Sequence, residues 1–250
     1  MPSSLNFKER CDIILKKILV INGSRNKKGN TQFFIKNILA DIEEDFNVEW
    51  LYPQDYNLYP VFDTFSNNYN EKDDDFYMVK EKILNSNLLI ISSPVYMHAM
   101  SSDIKLLLER FSTWAHILRL NGKPCVIVST CESNGQDTVI EPLSKCITNM
   151  GGNIIATANA SILKELKHPS MLKEIANEIS NRILNFINVA PQSNKFIERN
   201  FKVMKKIMNY RINEIKNNDY QKLNHEEKYW IESKLLYQNN FEEFIKSIKL

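Results

Sequence analysis

The sequence predicts an α/β protein, a parallel β-sheet packed by helices, with a helical extension at the C-terminal side. Three observations carry that prediction. Short apolar runs alternate with longer segments whose apolar residues recur at helical spacing. Each run of strand length ends in a polar loop that opens into the next helical segment. Past Ala190-Pro191 the alternation stops and only helical periodicity remains. Strands separated by helices run parallel, because each helix returns the chain to the same edge of the sheet.

The first strand is predicted over Lys17–Asn22, where the apolar run Ile18 to Ile21 stops at Asn22-Gly23-Ser24-Arg25. Phe33, Phe34, Ile35, Ile38, Leu39 and Ile42 then mark the buried face of a helix over Thr31–Phe46. A strand at Val48–Tyr52 precedes a helix over Asp75–Ser86, whose N-terminus Asp73-Asp74-Asp75 should cap and complement. LLIISS gives a third strand, Leu88–Ser93, and Ile104, Leu107, Leu108 and Phe111 define a helix over Ser102–Ala115, capped by Ser101 or Ser102. Cys125–Thr130 is the fourth strand, followed by a helix over Thr138–Met150 that Gly151-Gly152 ends. A strand at Asn153–Ala158 and a helix over Ser170–Ile187 complete the alternation. The chain therefore divides into residues 1–190 and a helical extension, 191–250.

The extension holds twelve Lys and Arg against eight Asp and Glu, a net +4 beside −2 for the first 190 residues. Ile197, Phe201, Met204, Met208, Ile212 and Ile215 form a helical stripe, with Lys202, Lys205, Lys206 and Arg211 mostly off it. A stripe of this kind is expected to bury itself against the chain's own core or a second subunit.

The chemistry lies in three loops. The first runs from Gly23 to Thr31 and opens a helix, whose N-terminal N–H groups lack partners and carry partial positive charge. Ser24, Asn30 and Thr31 add neutral donors, and Arg25 adds a cation that can fork onto phosphate oxygens. The nucleotide-hydrolase pattern G-x-x-x-x-G-K-[ST] is absent: the spacing from Gly23 to Gly29 is one residue too long, and Asn30 stands in the lysine's place. The dinucleotide pattern G-x-G-x-x-G is absent too. Such a loop suits one monophosphate. The second loop, Pro94-Val95-Tyr96-Met97-His98-Ala99, would present backbone and ring to a flat ligand, because Pro94 biases Ser93 toward extended backbone. The third, Cys131 to Gln136, is small, polar and contains Gly135, which lets backbone approach closely. In an open parallel sheet all three share the rim at the carboxyl ends of the strands.

GSRNKKGNT, SPVYMHAMSSDIKLLLER and STCESNGQDT, in this order and spacing, resemble the three flavin loops of the flavodoxin-like, NAD(P)H-dependent FMN reductase family. The resemblance is closest to its clostridial branch of iron–sulfur flavoproteins and covers roughly residues 16–190. It implies a doubly wound, five-stranded parallel sheet of order 2-1-3-4-5 with FMN at the carboxyl rim. Position by position, Ser24, Arg25, Gly29, Asn30 and Thr31 would hold the FMN phosphate. Pro94, Val95, Tyr96 and Met97 would line the ring and ribityl chain, and Thr130, Cys131 and the Glu132–Gly135 turn would close the other side. HEEKYWIESKLL, His225 to Leu236, resembles a helical extension of the same group, with Tyr229 and Trp230 as its anchors.

The chain departs from that branch in two places. Leu51 to Lys72, where the branch carries its cysteine cluster, contains no cysteine, and Cys11, Cys125, Cys131 and Cys146 form no C-x-x-C pair. Four thiolates normally hold such a cluster, so no iron–sulfur centre is expected. Tyr52, Tyr56, Tyr59, Phe62, Phe65 and Tyr69 fill the region, for stacking on a flavin or for packing over the sheet edge. His98 is the second departure. It could pass a proton beside the ring, or it could be a surface imidazole at a helix start.

At 250 residues, 43% hydrophobic and 25% charged, the chain can bury a substantial core. No apolar run approaches the roughly 18 residues of a membrane helix, no signal peptide is read, and the cysteines lack a pairing pattern. A cytoplasmic protein without membrane or nucleic-acid partners is expected, as a homodimer or higher homo-oligomer. The resemblance implies an oxidoreductase that takes hydride from NADH or NADPH and reduces a small acceptor: a quinone, a nitro- or azo-aromatic, free flavin or a biosynthetic intermediate. The rival readings are a flavin-bearing electron carrier and a flavin-binding sensor acting on protein partners.

Overall fold

The computed structural model describes residues 15–61, 74–217 and 222–248. Its centre is a five-stranded sheet of β1 (Lys17–Asn22), β2 (Asn47–Leu51), β3 (Leu88–Pro94), β4 (Pro124–Cys131) and β5 (Asn153–Ser161). All pairings are parallel and the order is β2-β1-β3-β4-β5, a flavodoxin-like sheet. The first and third strands pair Ile18 with Leu88 and Asn22 with Ser92, and the next pair sets Pro94 beside Thr130. The carboxyl ends of β1, β3 and β4 therefore stand side by side.

Alternation along the strands splits the core into two layers. Ile18, Val20, Leu88, Ile90, Val126 and Val128 face α1 (Asn30–Leu39) and α6 (Pro169–Ile187). Leu19, Ile21, Leu89, Ile91, Cys125 and Ile127 face the other side. There they meet α2 (Phe76–Leu84), α3 (Ser102–Arg110), α4 (Ser112–Ile117) and α5 (Asp137–Asn149). Because both faces are covered, β3 and β4 are buried along their whole length, as central strands of a parallel sheet require.

Two helices end well short of the sequence prediction, the other predicted helix limits differ by at most two residues, and one predicted cap is replaced. The first helix ends at Leu39, where the Ile42 N–H turns back to the Leu39 carbonyl at 2.9 Å and a short 3-10 turn, Glu43–Asp45, follows. Ile42 and Phe46 stay buried beyond it, so their apolar periodicity outlasts the helix. The predicted Ser102–Ala115 helix breaks at Phe111, which lies 4.6 Å from the Phe76 ring and 4.5 Å from the Trp114 ring. Packing of these three rings takes precedence over helix continuity. At α2, Asp75 makes no side-chain cap. Asp74 instead accepts the Phe76 N–H at 3.0 Å and forms a buried ion pair with Arg110, while Asp73 lies outside the described residues. Ser101 caps α3 through the Ile104 N–H.

The extension forms α7 (Lys195–Lys216), α8 (His225–Glu232) and α9 (Phe241–Ser247). Ile197, Phe201, Met208 and Ile212 join the same apolar cluster as α2–α5, with Met204 partly buried against it. Trp230 has no exposed surface, stacks on Phe201 at 5.7 Å, and donates its indole N–H to the His116 carbonyl at 2.8 Å. His116 Nδ1 and Arg211 both reach the Glu226 carboxylate, at 2.7 and 3.1 Å. Burial alone would raise the Glu226 carboxyl, but these partners hold it below its ordinary value.

Trp230→Ala should cost about 3–5 kcal/mol of stability, from lost burial and the cavity left behind. Urea unfolding measures it, and a loss under about 1 kcal/mol would show that the extension does not share the core.

Candidate active site

The rim begins at the end of β1. Asn22 Oδ1 accepts the Ser24 N–H at 3.0 Å and lies 3.4 Å from Ser92 Oγ, while its Nδ2 is buried without a partner among the described residues. Gly23 has no room for a side chain: a Cβ there would stand 2.3 Å from Ile104 Cγ1 and 2.7 Å from Ser101 Oγ. The loop is thus pressed onto the start of α3. It then enters α1 at Gly29, an extended N-cap with no side-chain cap, and α1 has no acid in its first turn. The Gly29 carbonyl takes the Phe33 N–H at 3.0 Å, so the preceding N–H groups have no intrahelical acceptor. Nothing anionic from this loop competes for that helix end.

Hydroxyls bind the first loop to the third. Thr31 Oγ1 and Thr130 Oγ1 lie 2.6 Å apart, both buried. The Thr130 carbonyl accepts the Val95 N–H at 2.8 Å, which ties in the second loop. That loop makes a two-residue turn in which Tyr96 and Ala99 exchange both backbone bonds at 2.9 Å. Its central residues, Met97 and His98, have φ of 50° and 56°, a conformation side chains seldom adopt outside functional or tightly constrained turns. The turn leaves Met97 96% exposed and Tyr96 57% exposed. His98 rests against Gly135, where a Cβ would come within 2.9 Å of His98 Nδ1 and 3.0 Å of Val95 Cγ1.

The fourth strand continues into Cys131, whose Sγ lies 3.4 Å from Gln136 Oε1. Burial, with the Glu165 carboxylate nearby, pushes its thiol up, so it stays protonated at neutral pH. Glu132 is exposed, and its carbonyl and that of Cys131 take the Leu163 and Ile162 N–H groups at 3.2 and 3.0 Å. Glu165 accepts both the Ser161 N–H and hydroxyl at 2.8 Å. These bonds outweigh burial and hold its carboxyl below the usual range.

The structure therefore brings Ser24, Gly29, Thr31, Pro94, Val95, Thr130, Cys131 and Gly135 together at one rim, with Asn30, Tyr96, Met97, His98 and Glu132 exposed along it. Arg25 is on the rim with a partner the sequence did not suggest. Its Nε and Nη2 donate to the two Asp103 carboxylate oxygens at 2.8 and 2.7 Å. Sequence reasoning also missed the β2 side. Tyr52 OH donates to Gln32 Oε1 at 3.0 Å, Gln54 Nε2 to the Arg25 carbonyl at 3.1 Å, and Lys27 pairs with Asp55 at 2.5 Å. Of the aromatic loop, Tyr52 is buried and Tyr56 packs against the core, while Phe62, Phe65 and Tyr69 lie outside the described residues. Among the described residues no His, Cys, Asp and Glu side chains group to hold a metal, and Cys125, Cys131 and Cys146 are free thiols. A cavity of about 1230 Å³ lies between α4, α5 and α7, and none of the rim residues line it.

Sheet order defines a flavodoxin-like protein with three loops gathered at the carboxyl edge of its strands. The family model for NADPH-dependent FMN reductases matches residues 16–165, and the chain belongs to that family. It is 31% identical over 105 residues to YwqN of Bacillus subtilis, inferred to be an NAD(P)H-dependent FMN-containing oxidoreductase. That match covers 41% of this chain and 54% of YwqN, so the chain spans about half the length of that relative. It is 27% identical over 135 residues to the iron–sulfur flavoprotein MJ1083 of Methanocaldococcus jannaschii, covering 51% of this chain and 69% of the relative. Among solved structures, RosB with a bound 8-demethyl-8-formylriboflavin-5'-phosphate intermediate aligns with a TM-score of 0.57 at 12% identity. It covers 78% of this chain and 87% of RosB, a likeness of fold.

Gly135→Ala should destabilise the protein by about 1–3 kcal/mol, since Gly135 has φ of +88° and its Cβ position is already crowded by His98. Urea unfolding checks this. A change within about 0.5 kcal/mol would mean that the turn relaxes freely.

Proposed function

We propose that the chain is an FMN-dependent oxidoreductase that takes hydride from NADH or NADPH and reduces a small acceptor. The observation that carries the proposal is the uncapped, acid-free N-terminus of α1, tied by the Thr31–Thr130 bond to the two loops beside it. The residues present fit FMN. Helix N–H groups, the Ser24 and Thr31 hydroxyls, Asn30 and Arg25 form a donor set for one phosphate, Gly29 opens the helix, and the buried Asn22 Nδ2 is a donor with unused capacity. Family membership and the name of YwqN support the same reading.

Bound at this rim, FMN would supply reversible two-electron chemistry between nicotinamide and acceptor. The chain supplies binding and orientation. Pro94, Val95, Tyr96 and Met97 line one side of the ring and ribityl chain, while Thr130, Cys131, Glu132 and Gly135 close the other. Cys131 serves as a neutral packing group, in keeping with its protonated thiol. His98, held over the Gly135 turn, can donate a proton to the reduced acceptor from its imidazole. Quinones, nitro- or azo-aromatics, free flavin and biosynthetic intermediates are the acceptor classes. Free thiols support a reducing, cytoplasmic setting, and the exposed Phe196, Val203 and Tyr210 on α7 support a homodimer.

Replacing Arg25 and Thr31 together by alanine should weaken FMN binding about thirtyfold or more, since each contact contributes about 1–3 kcal/mol. Flavin fluorescence titration reads it directly, and undiminished binding would remove the phosphate-loop assignment. His98→Ala should bind FMN and be reduced by nicotinamide normally, yet turn over a quinone or nitroaromatic about a hundredfold more slowly. Unchanged turnover would leave His98 as a turn residue only, and absence of any NAD(P)H turnover in the FMN-loaded protein would contradict the enzyme reading.

A further inference from the structure

We propose that Asp103 is the positioning residue of the phosphate loop: its carboxylate fixes the Arg25 guanidinium and leaves Arg25 a second N–H edge for the FMN phosphate. The inference rests on the FMN reading above and assigns a role to a residue outside the loop itself.

Arg25 stands on an exposed loop with 71% of its side chain accessible. A long cation in that setting samples many rotamers, and ordering it at the moment of binding costs affinity. Asp103 removes that freedom beforehand through a two-point fork, Nε to Oδ2 at 2.8 Å and Nη2 to Oδ1 at 2.7 Å. The fork engages two of the five guanidinium N–H groups, and those on Nη1 and the second on Nη2 remain on the adjoining edge. Asp103 is itself fixed. It sits in the first turn of α3, is 8% exposed, and benefits from the helix N-terminus that Ser101 caps two residues before. The loop has no slack against that helix, because Gly23 abuts Ile104 and Ser101. Helix α3 therefore determines where the loop's arginine points.

The pair also sets the charge. Arg25 is neutralised by Asp103 and Lys27 by Asp55, so the loop meets an anion with oriented donors, and among the described residues only Lys28 of its three cations has no ion pair. Recognition then depends on geometry, which suits a monophosphate ester better than a polyphosphate.

The test is the dissociation constant of FMN and of riboflavin, by flavin fluorescence quenching, for the full chain and for Asp103→Ala, Arg25→Ala and the double variant. Asp103→Ala should weaken FMN about tenfold, equal to about 1.4 kcal/mol, with riboflavin changed less than about twofold. In the Arg25→Ala background the same substitution should alter FMN affinity less than about twofold. Asp103→Asn keeps the size and one acceptor. It should show a smaller loss of the same FMN-selective kind, which serves the test if the alanine variant folds poorly. FMN binding unchanged or tightened would overturn the proposal, since Asp103 would then be a bystander or a competitor of the phosphate. Equal losses for FMN and riboflavin would overturn it as well, reducing Asp103 to a packing role. Should the unaltered chain fail to bind FMN, the functional reading fails; if it binds and Asp103→Ala is silent, only the positioning role fails.

Discussion

Parallel pairing of β1, β3 and β4 is the constraint on which the rest depends. Once Asn22 is set against Ser92 and Pro94 against Thr130, three loops must leave the sheet at one edge within hydrogen-bond reach. The Thr31–Thr130 bond and the Val95–Thr130 bond follow from that register. So does the contact of His98 with Gly135. A shift of one residue in either pairing would turn every side chain of a strand to the other face and separate these groups.

Around this rim the charges are arranged in pairs. Arg25 meets Asp103 and Lys27 meets Asp55, and further from the rim Arg110 meets Asp74 at a buried site that also fixes Tyr59. Of these, the pairs at the rim, where Arg25 and Lys27 are exposed, contribute little to stability. Their effect here is geometric, for each joins two segments distant in sequence and limits where a loop can go. The extension does comparable work on the opposite side of the sheet from α1 and α6, where Trp230 and Phe201 enter the same apolar cluster as α2–α5.

Much of this was legible in the sequence because local signals and global fold agree. Ile18 to Ile21 and LLIISS read as buried strands, and they are the most buried strands of the sheet alongside β4. The helix at Ser102 announced a serine cap, Ser101 or Ser102, and the structure places it at Ser101. What stayed hidden depended on contacts distant in sequence. Asp103 in a helix's first turn looks like an ordinary complement to the helix end, and nothing local links it to Arg25, 78 residues earlier. Asp74 does accept the Phe76 N–H at the start of α2, as a cap would, but its buried pair with Arg110, 36 residues on, had no local signal. The break at Phe111 has no glycine or proline to mark it, since ring packing with Phe76 and Trp114 imposes it. Left-handed Met97 and His98 gave no compositional warning either, because such turns normally carry glycine or asparagine.

The central claim is that this rim holds FMN in a form that nicotinamide can reduce. The most direct measurement is an anaerobic absorption spectrum of the FMN-reconstituted chain, titrated separately with NADH and NADPH. The account predicts stoichiometric flavin binding and bleaching complete at about one equivalent of at least one nucleotide. Flavin that remains oxidised through an excess of both, or protein that takes up no flavin, would contradict it.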